Sequence, residues 1–217
     1  MEINADRITH NYIVVEGPIG VGKSDLVKLI AERYRGKQIL EKSYDNPFLL
    51  KFYENKSLYA FQTQIFFLLS RYNQLKNELY LDLFTDFIIS DFMILKDFLF
   101  ASINLSEQEF CLYRQLFNLI QKENVKPDVV VYLYCGAEKL YDKIKNIDTA
   151  KLVSRDYLEK VCKVYNDFFL RYDETPLLVV NTEYIDFIKE PEYVYKLVQE
   201  LENTRGGRRY YNPVIMP

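Results

Sequence analysis

The chain has 217 residues, of which 49% are hydrophobic and 27% are charged, a length and composition typical of one globular domain with a sizeable core. The formal net charge is −3, whereas surfaces that bind nucleic-acid polymers by neutralising phosphates are usually basic. We therefore expect no nucleic-acid partner.

The N-terminal segment, the hydropathy and the cysteines indicate the cellular compartment. The segment MEINADRITHNY has neither the basic start nor the apolar run of a signal peptide. No stretch reaches the roughly 20 apolar residues of a membrane-spanning helix. The three cysteines, Cys111, Cys135 and Cys162, are far apart and lack CxxC spacing. These features predict a cytoplasmic protein with no membrane partner, whose cysteines are reduced residues of the core.

Short apolar runs of strand length alternate with longer segments of helical period. The five runs are Tyr12–Val15, Gln38–Leu40, Phe87–Ile89, Val129–Tyr134 and Leu177–Val180. Such alternation indicates parallel strands joined by helices, and VVVYLY and LLVV are apolar at successive positions, as in strands covered on both faces. We expect an α/β fold of three layers, α/β/α, with a central five-stranded parallel sheet, in a single domain over residues 1–217.

The first run leads into EGPIGVGKS, in which Gly17, Gly22, Lys23 and Ser24 fit the GxxxxGK[ST] pattern of a phosphate loop. The residues expected to hold the phosphates of ATP are Gly17, Pro18, Ile19, Gly20, Val21, Gly22, Lys23 and Ser24. Glycine lets phosphate oxygens approach the backbone, the lysine supplies charge at the β and γ phosphates, and the serine hydroxyl is a ligand for Mg²⁺. The alternative is a tight glycine-rich turn without a ligand.

A carboxylate follows the third run. Asp91 lies at the carboxyl end of this predicted strand, at the edge where open α/β sheets bind ligands. We expect it to lie on the Mg²⁺ side of the site and to act through water. Its alternative role is to cap the helix that follows the strand, and one residue can do both.

The longest helical candidate runs from Leu58 to Leu81 and is apolar over more than one stripe, so it is either largely buried or shared with a partner chain. Ser106 and Glu109 have capping-box spacing at the start of a second helix, and an amphipathic helix is predicted over Ser154–Tyr172. The final segment, TRGGRRYYNPVIMP, is basic and rich in Gly and Pro, and we expect a tail outside the core.

Phosphate loops occur in motors, switches and small-molecule kinases, so the loop alone does not identify the reaction. The segments EGPIGVGKS, NPFL, FFLLSRY, ISDF, KDFLFA, DYLEKV and LLVVNT occur in this order along almost the whole chain. In this order and spacing the chain resembles the deoxynucleoside kinase family, and most closely its bacterial deoxyadenosine, deoxyguanosine and deoxycytidine kinase branch. The resemblance implies transfer of the γ-phosphate of ATP to the 5′-hydroxyl of a deoxynucleoside.

A sugar hydroxyl is a poor nucleophile at neutral pH, so the reaction needs a base and cations near the phosphorus. The resemblance places the general base at Glu41, just past the second strand, and a transition-state arginine at Arg71. With Lys23 these are the expected catalytic residues. The alternatives are a solvated charge at Glu41 and a helix-interface ion pair at Arg71, because an arginine in so apolar a helix needs a partner.

The resemblance also implies an acceptor site. Gln64 lies seven residues before Arg71, on nearly the same helix face, and matches the glutamine that bonds the nucleobase. Phe100 matches the aromatic ring that stacks on the base, and Tyr53 matches the tyrosine at the sugar 3′-hydroxyl. Asp97 is a further candidate for reading the base. Each of these residues is equally compatible with a place in the core.

Two departures from the family pattern stand out. Phe98 occupies a position where the close branch carries arginine, so one catalytic cation is expected to be missing. The lid predicted at 141–155 is poor in arginine, and its cations are Lys143, Lys145, Lys151 and Arg155. We expect Arg155 to contact ATP, and the glutamate of the family lid falls near Ala150. Lysine offers charge without the bidentate geometry of arginine.

Three hypotheses follow. The first is a Mg²⁺- and ATP-dependent deoxynucleoside kinase of nucleotide salvage. The second is a degenerate homologue that binds nucleotide and has a regulatory role, which Phe98 and the lid would favour. The third is a nucleoside monophosphate kinase, which would need more basic residues for the acceptor's phosphate. The broad apolar helix face from Gln64 to Leu79 predicts a homodimer.

Overall fold

The computed structural model describes residues 7–145 and 152–213 of the chain. Their core is a six-stranded sheet in which every pair of neighbouring strands is parallel. The strands are β1 (Tyr12–Glu16), β2 (Gly36–Ile39), β3 (Phe87–Ser90), β4 (Val129–Tyr134), β5 (Leu177–Asn181) and β6 (Arg208–Tyr211). Their spatial order is β2-β3-β1-β4-β5-β6.

Helices cover both faces of the sheet, which confirms the three-layer α/β/α prediction. The helices are α1 (Lys23–Tyr34), α2 (Leu49–Glu54), α3 (Lys56–Glu78), α4 (Leu95–Asn104), α5 (Glu107–Gln121), α6 (Ala137–Ile144), α7 (Arg155–Arg171) and α8 (Glu192–Glu202). α1 contacts α8, while α3, α4, α5 and α7 form a connected group. The apolar runs in β1 and β4 are buried because side chains that alternate between the two faces meet a helix layer on either side.

Each of the five predicted strand runs forms a strand, with ends that agree to within two residues. The predicted number of strands was wrong, because the sheet has a sixth, β6. This strand lies within the segment that we expected to be a tail outside the core. It pairs with β5 in the register Val179↔Tyr210 at the edge of the sheet. The pairing is made by backbone hydrogen bonds, which the polar sequence RRYY does not predict.

The predicted helix signals are confirmed. Ser106 and Glu109 form a reciprocal capping box at the start of α5, and the Ser154 hydroxyl accepts a hydrogen bond from the Tyr157 amide at the start of α7. The long α3 begins after Asn55, whose side chain accepts a hydrogen bond from the Leu58 amide. Leu58 and Leu69 on α3 are exposed in this single chain, while Gln64, Leu68 and Arg71 are buried.

The topology gathers three chain segments at one edge of the sheet. β2, β3 and β1 are neighbours, so the segments that follow their carboxyl ends lie side by side. The phosphate loop follows β1, Glu41 follows β2, and Asp91 follows β3 directly. Sheet pairing therefore brings together residues that are far apart in the sequence.

The cysteine prediction was wrong for one residue. Cys135 and Cys162 are buried, but Cys111 is exposed on α5. The thiols of Cys135 and Cys162 have pKa values raised by burial, to about 11 for Cys162. We expect a thiol reagent such as DTNB to modify one of the three cysteines rapidly in the folded protein and all three in urea. The C111S variant should lose the rapid phase, and rapid labelling of two thiols would contradict this arrangement.

Candidate active site

A cavity of about 330 Å³ lies at the carboxyl edge of β1, β2 and β3. One end is lined by the phosphate loop, and the other is lined by side chains of α2, α3, α4 and α7. The residues predicted from the sequence that line this cavity are Gly17, Ile19, Gly20, Lys23, Ser24, Glu41, Tyr53, Gln64, Arg71, Asp91 and Phe100. The fold thus joins the predicted phosphate, catalytic and acceptor residues in one space.

The phosphate loop has the backbone geometry that its glycines predict. Gly20 and Gly22 have φ of +81° and +97°, which only glycine adopts without strain. A Cβ at Gly20 would also clash with Cγ2 of Ile144, so α6 packs directly on the loop. Lys23 Nζ donates to the carbonyl oxygens of Gly17 and Pro18 at 2.8 and 3.1 Å.

Asp91 connects the phosphate loop to the segment after β2. One carboxylate oxygen accepts a hydrogen bond from Ser24 Oγ, and the other accepts one from the Glu41 amide at 2.7 Å. Asp91 does not cap α4, whose first flanking residue is Ile94. A hydroxyl and a carboxylate in contact are hard oxygen donors of the type that Mg²⁺ prefers alongside water and phosphate. Within 7–145 and 152–213, no group of three or more His, Cys, Asp or Glu residues could hold a metal ion.

Glu41 and Arg71 form an ion pair inside the cavity. Arg71 Nε donates to Glu41 Oε1 at 3.0 Å, and a second guanidinium nitrogen contacts the same oxygen. The other oxygen, Oε2, accepts a hydrogen bond from Lys96 Nζ. Burial alone would raise the pKa of Glu41, but the two cations outweigh it and hold that pKa well below its usual range. The carboxylate is therefore ionised at neutral pH.

Asp97 is the second carboxylate on Arg71. Its Oδ1 accepts a hydrogen bond from Arg71 Nη1, while its buried Oδ2 has no hydrogen-bond partner in the part of the chain that the structure describes. Asp97 does not line the cavity, so its predicted contact with the base stays a prediction. Burial raises the pKa of Asp97 to about 7, in spite of Arg71.

This raised pKa predicts how stability depends on pH. Between the ordinary pKa near 4 and about 7, the folded protein holds a proton on Asp97 that the unfolded chain has released. The free energy of unfolding therefore falls as pH rises through this window. We expect the D97N variant to lack this component, so its stability relative to the parent should increase from pH 4.5 to pH 7.5. Urea unfolding at three pH values tests this, and a constant difference would contradict it.

The acceptor end of the cavity combines an amide with aromatic rings. Gln64 is 2% exposed, and its buried Oε1 has no hydrogen-bond partner among the described residues, so it is available to a donor on a ligand. The Phe100 ring lies edge-on to Tyr165 at a centroid distance of 6.1 Å. The Tyr53 ring lies edge-on to Tyr157 at 6.4 Å, and burial raises the pKa of Tyr53 to about 12.

Sequence reasoning missed Lys96, although a lysine inside the apolar stretch FMILKDF was a usable signal. It also missed Phe67, Tyr157 and Tyr165, which line the cavity and have no pattern that separates them from core residues. Phe67 lies under the guanidinium of Arg71, 4.6 Å from its ring centroid.

The two departures from the family pattern have different structural settings. Phe98 packs against Phe110 and Phe117 of α5, each at 5.2 Å between ring centroids, and does not line the cavity. The cation that α4 contributes is Lys96 instead. Phe98 therefore does not by itself deprive the cavity of a cation.

The predicted lid is described only in part, since 146–151, with Ala150 and Lys151, lie outside the described residues. Lys145 pairs with Asp142 on the surface. Arg155 pairs with Glu138 and Glu159 and does not line the cavity, so its predicted contact with ATP stays a prediction.

Other phosphate-loop residues are also outside the cavity lining. Pro18, Val21 and Gly22 do not line it, and Gly22 instead provides the left-handed residue that precedes α1. Their predicted contacts with ATP are untested.

Comparison with known proteins identifies relatives along most of the chain. A family model described as deoxynucleoside kinase matches residues 13–204. The chain is 30% identical to a deoxyguanosine kinase of Bacillus subtilis over 83% of this chain and 90% of that protein. It is 25% identical to a deoxyadenosine kinase of Lactobacillus acidophilus over 88% and 94% of the two chains. A structure of deoxyadenosine kinase from M. mycoides with bound dATP has the same fold, with a TM-score of 0.76 at 24% identity, over 88% of this chain and 99% of that one.

Proposed function

Because the chain belongs to the deoxynucleoside kinase family, we propose that this cavity transfers the γ-phosphoryl group of ATP to the 5′-hydroxyl of a deoxynucleoside. One observation carries the proposal. Glu41, the candidate base, lines the same cavity as the phosphate loop and Gln64, and it contacts Arg71. This arrangement supports a reaction that needs a base, a cation and two substrate sites around one phosphorus.

In the proposed reaction, a carboxylate oxygen of Glu41 accepts the proton of the 5′-hydroxyl as the hydroxyl oxygen bonds to the γ-phosphorus. The bond from this phosphorus to the β–γ bridging oxygen breaks, and ADP leaves with the electron pair. Lys23 and Arg71 stabilise the charge on the phosphoryl oxygens. Ser24 and Asp91 would hold Mg²⁺, which would neutralise phosphate charge when bound.

We propose a purine deoxynucleoside as the preferred acceptor. The proposal is supported by relatives whose names are deoxyguanosine kinase and deoxyadenosine kinase. The edge of the base would be read by the Oε1 atom of Gln64, which has no hydrogen-bond partner among the described residues and suits a donor group. Asp97 stays a second candidate for this edge, although it does not line the cavity as the structure describes it.

An ADP-coupled assay with Mg-ATP and each of the four deoxynucleosides tests both proposals. We expect turnover with at least one deoxynucleoside and the highest kcat/KM with a purine. Tight nucleotide binding by calorimetry without turnover on any of them would support the degenerate homologue instead. A higher kcat/KM with a deoxynucleoside monophosphate would support the monophosphate kinase.

We propose a homodimer that buries an apolar surface of α3 and α5. In the single chain, exposed leucines lie on α5 at Leu112, Leu116 and Leu119 and on α3 at Leu69. The α5 positions are separated by four and three residues and therefore share one helix face. Light scattering should give a dimer for the parent and a monomer for the L112E/L116E variant, and a parent monomer at micromolar concentration would remove the proposal.

The remaining predictions concern location and lid. No helix of the described segments has the length and apolar character needed to cross a membrane. A cytoplasmic location stays a proposal that cell fractionation tests.

We also propose that the chain is a single domain whose residues 141–155 close over ATP, so limited proteolysis within this segment should slow when Mg-ATP is added.

A further inference from the structure

Lys96 is a buried lysine that no catalytic pattern in the sequence assigns. It lies in the first turn of α4 and is 5% exposed, with its Nζ on Glu41 Oε2. Five charged groups surround it. Four come from other segments: Glu16 ends β1, Lys23 begins α1, Glu41 follows β2 and Arg71 lies on α3. The fifth is Asp91, which precedes α4.

Local helix position and burial both disfavour a lysine here. Burial of an ammonium group is costly, and the partial positive charge at a helix N-terminus disfavours a cation in the first turn. Burial opposes the charged form here too, but Glu41 and Glu16 outweigh it and raise the pKa of Lys96. The side chain is therefore a fixed positive charge on the wall of the cavity.

Lys96 and Lys23 face the same cavity and repel one another. Both line it, and the charge of Lys96, after burial, is the largest cause that lowers the pKa of Lys23, to about 8. Two buried like charges facing one space are stabilised by an anion between them. The triphosphate end of ATP is the anion that the proposed reaction brings there.

The backbone holds Lys96 at a fixed distance from the phosphate loop. Glu16 is fully buried, and its two carboxylate oxygens accept hydrogen bonds from the amides of Gly17 and Met93, each at 3.1 Å. The Lys96 amide in turn donates to the Met93 carbonyl at 3.1 Å. One buried carboxylate thus connects the start of the phosphate loop to the turn that carries Lys96, a preorganised arrangement.

We propose that Lys96 is a catalytic residue whose ammonium group moves from Glu41 to the γ-phosphoryl group during transfer. The inference rests on the proposed kinase function. In this step the ammonium keeps its three protons and donates a hydrogen bond to a non-bridging phosphoryl oxygen. The Glu41 oxygen that it leaves accepts the proton of the 5′-hydroxyl, and the bond changes are those of the transfer itself.

The test compares K96A and K96M with the parent in the ADP-coupled assay. We expect kcat to fall about 100-fold or more, the effect of removing one preorganised donor to a developing charge. The dissociation constant of the deoxynucleoside, measured by calorimetry, should change less than about threefold, because Lys96 acts on the phosphoryl group and not on the base. Ethylammonium should restore part of the kcat of K96A but none of that of K96M, whose side chain fills the space. The surface variant K196A is the matched control and should keep the parent kcat.

The outcomes separate this inference from the function on which it rests. An inactive parent would remove the proposed function. An active parent with K96A and K96M within about threefold of its kcat would overturn only the role of Lys96. Weaker deoxynucleoside binding with unchanged kcat would make Lys96 a mere counterion of Glu41 and would also overturn it. If both variants fail to fold, K96R, which keeps the charge, replaces them. A kcat of K96R equal to that of the parent would support an electrostatic role of Lys96. Loss of deoxynucleoside binding alone in K96R would contradict this role.

Discussion

Replacing Glu41 by glutamine is expected to lower kcat by about 100- to 10,000-fold, the range in which a general base contributes to catalysis. The amide keeps the shape of the carboxylate and can still accept a hydrogen bond from Arg71, but it cannot take a proton from the 5′-hydroxyl. The KM for ATP should change little, because the phosphates are expected to bind to the loop amides and Lys23 and not to Glu41. Steady-state release of ADP with the preferred deoxynucleoside measures the effect.

Two controls make the Glu41 result interpretable. The E107Q variant changes an exposed glutamate at the start of α5 and should keep the parent kcat. Thermal unfolding of E41Q checks the fold, because this variant leaves Arg71 and Lys96 with less negative charge around them. A folded E41Q protein with more than about a tenth of the parent kcat would fall outside the range for a general base and would exclude that role.

Replacing Arg71 by methionine is expected to lower the free energy of unfolding by about 3–5 kcal/mol, the cost of breaking a buried ion pair by removing one partner. Arg71 is the partner of both Glu41 and Asp97, and its side chain is 5% exposed, so the variant leaves two carboxylates without their guanidinium. Turnover should fall below detection, because the transition state also loses a cation. Urea unfolding monitored by circular dichroism measures the stability.

The Arg71 prediction has an internal check. Above about pH 7, where Asp97 of the parent is ionised, the double variant R71M/D97N no longer buries that charge without Arg71, so it should be more stable than R71M alone. The surface variant R171M, at the end of α7, should lose less than about 1 kcal/mol, the size of a cation's interaction with a helix terminus. An R71M protein that unfolds at the same urea concentration as the parent would show that the ion pairs make no net contribution to the free energy of unfolding.

The agreement between sequence and structure is best where local pattern is enough. The five predicted strands are neighbours in the sheet, with β2 at one edge, and the capping box of Ser106 depends only on residues close to it. The phosphate loop is local as well, because Gly20 and Gly22 are needed for backbone angles of that same segment. Glu41 and Arg71 were paired through the family resemblance, and the structure brings them into contact.

The amino-acid sequence by itself determined the α/β class, the phosphate loop and the helix starts of this protein, because each follows from periodicity, glycine geometry or capping within a few residues. Only the tertiary structure decided that RRYY joins the sheet as β6, that Phe98 packs against α5, that Cys111 is exposed and that Lys96 reaches Glu41. These outcomes depend on which distant segment lies opposite a residue. Backbone pairing at a sheet edge, and the direction in which a side chain leaves a helix, leave no periodic mark in the residues themselves.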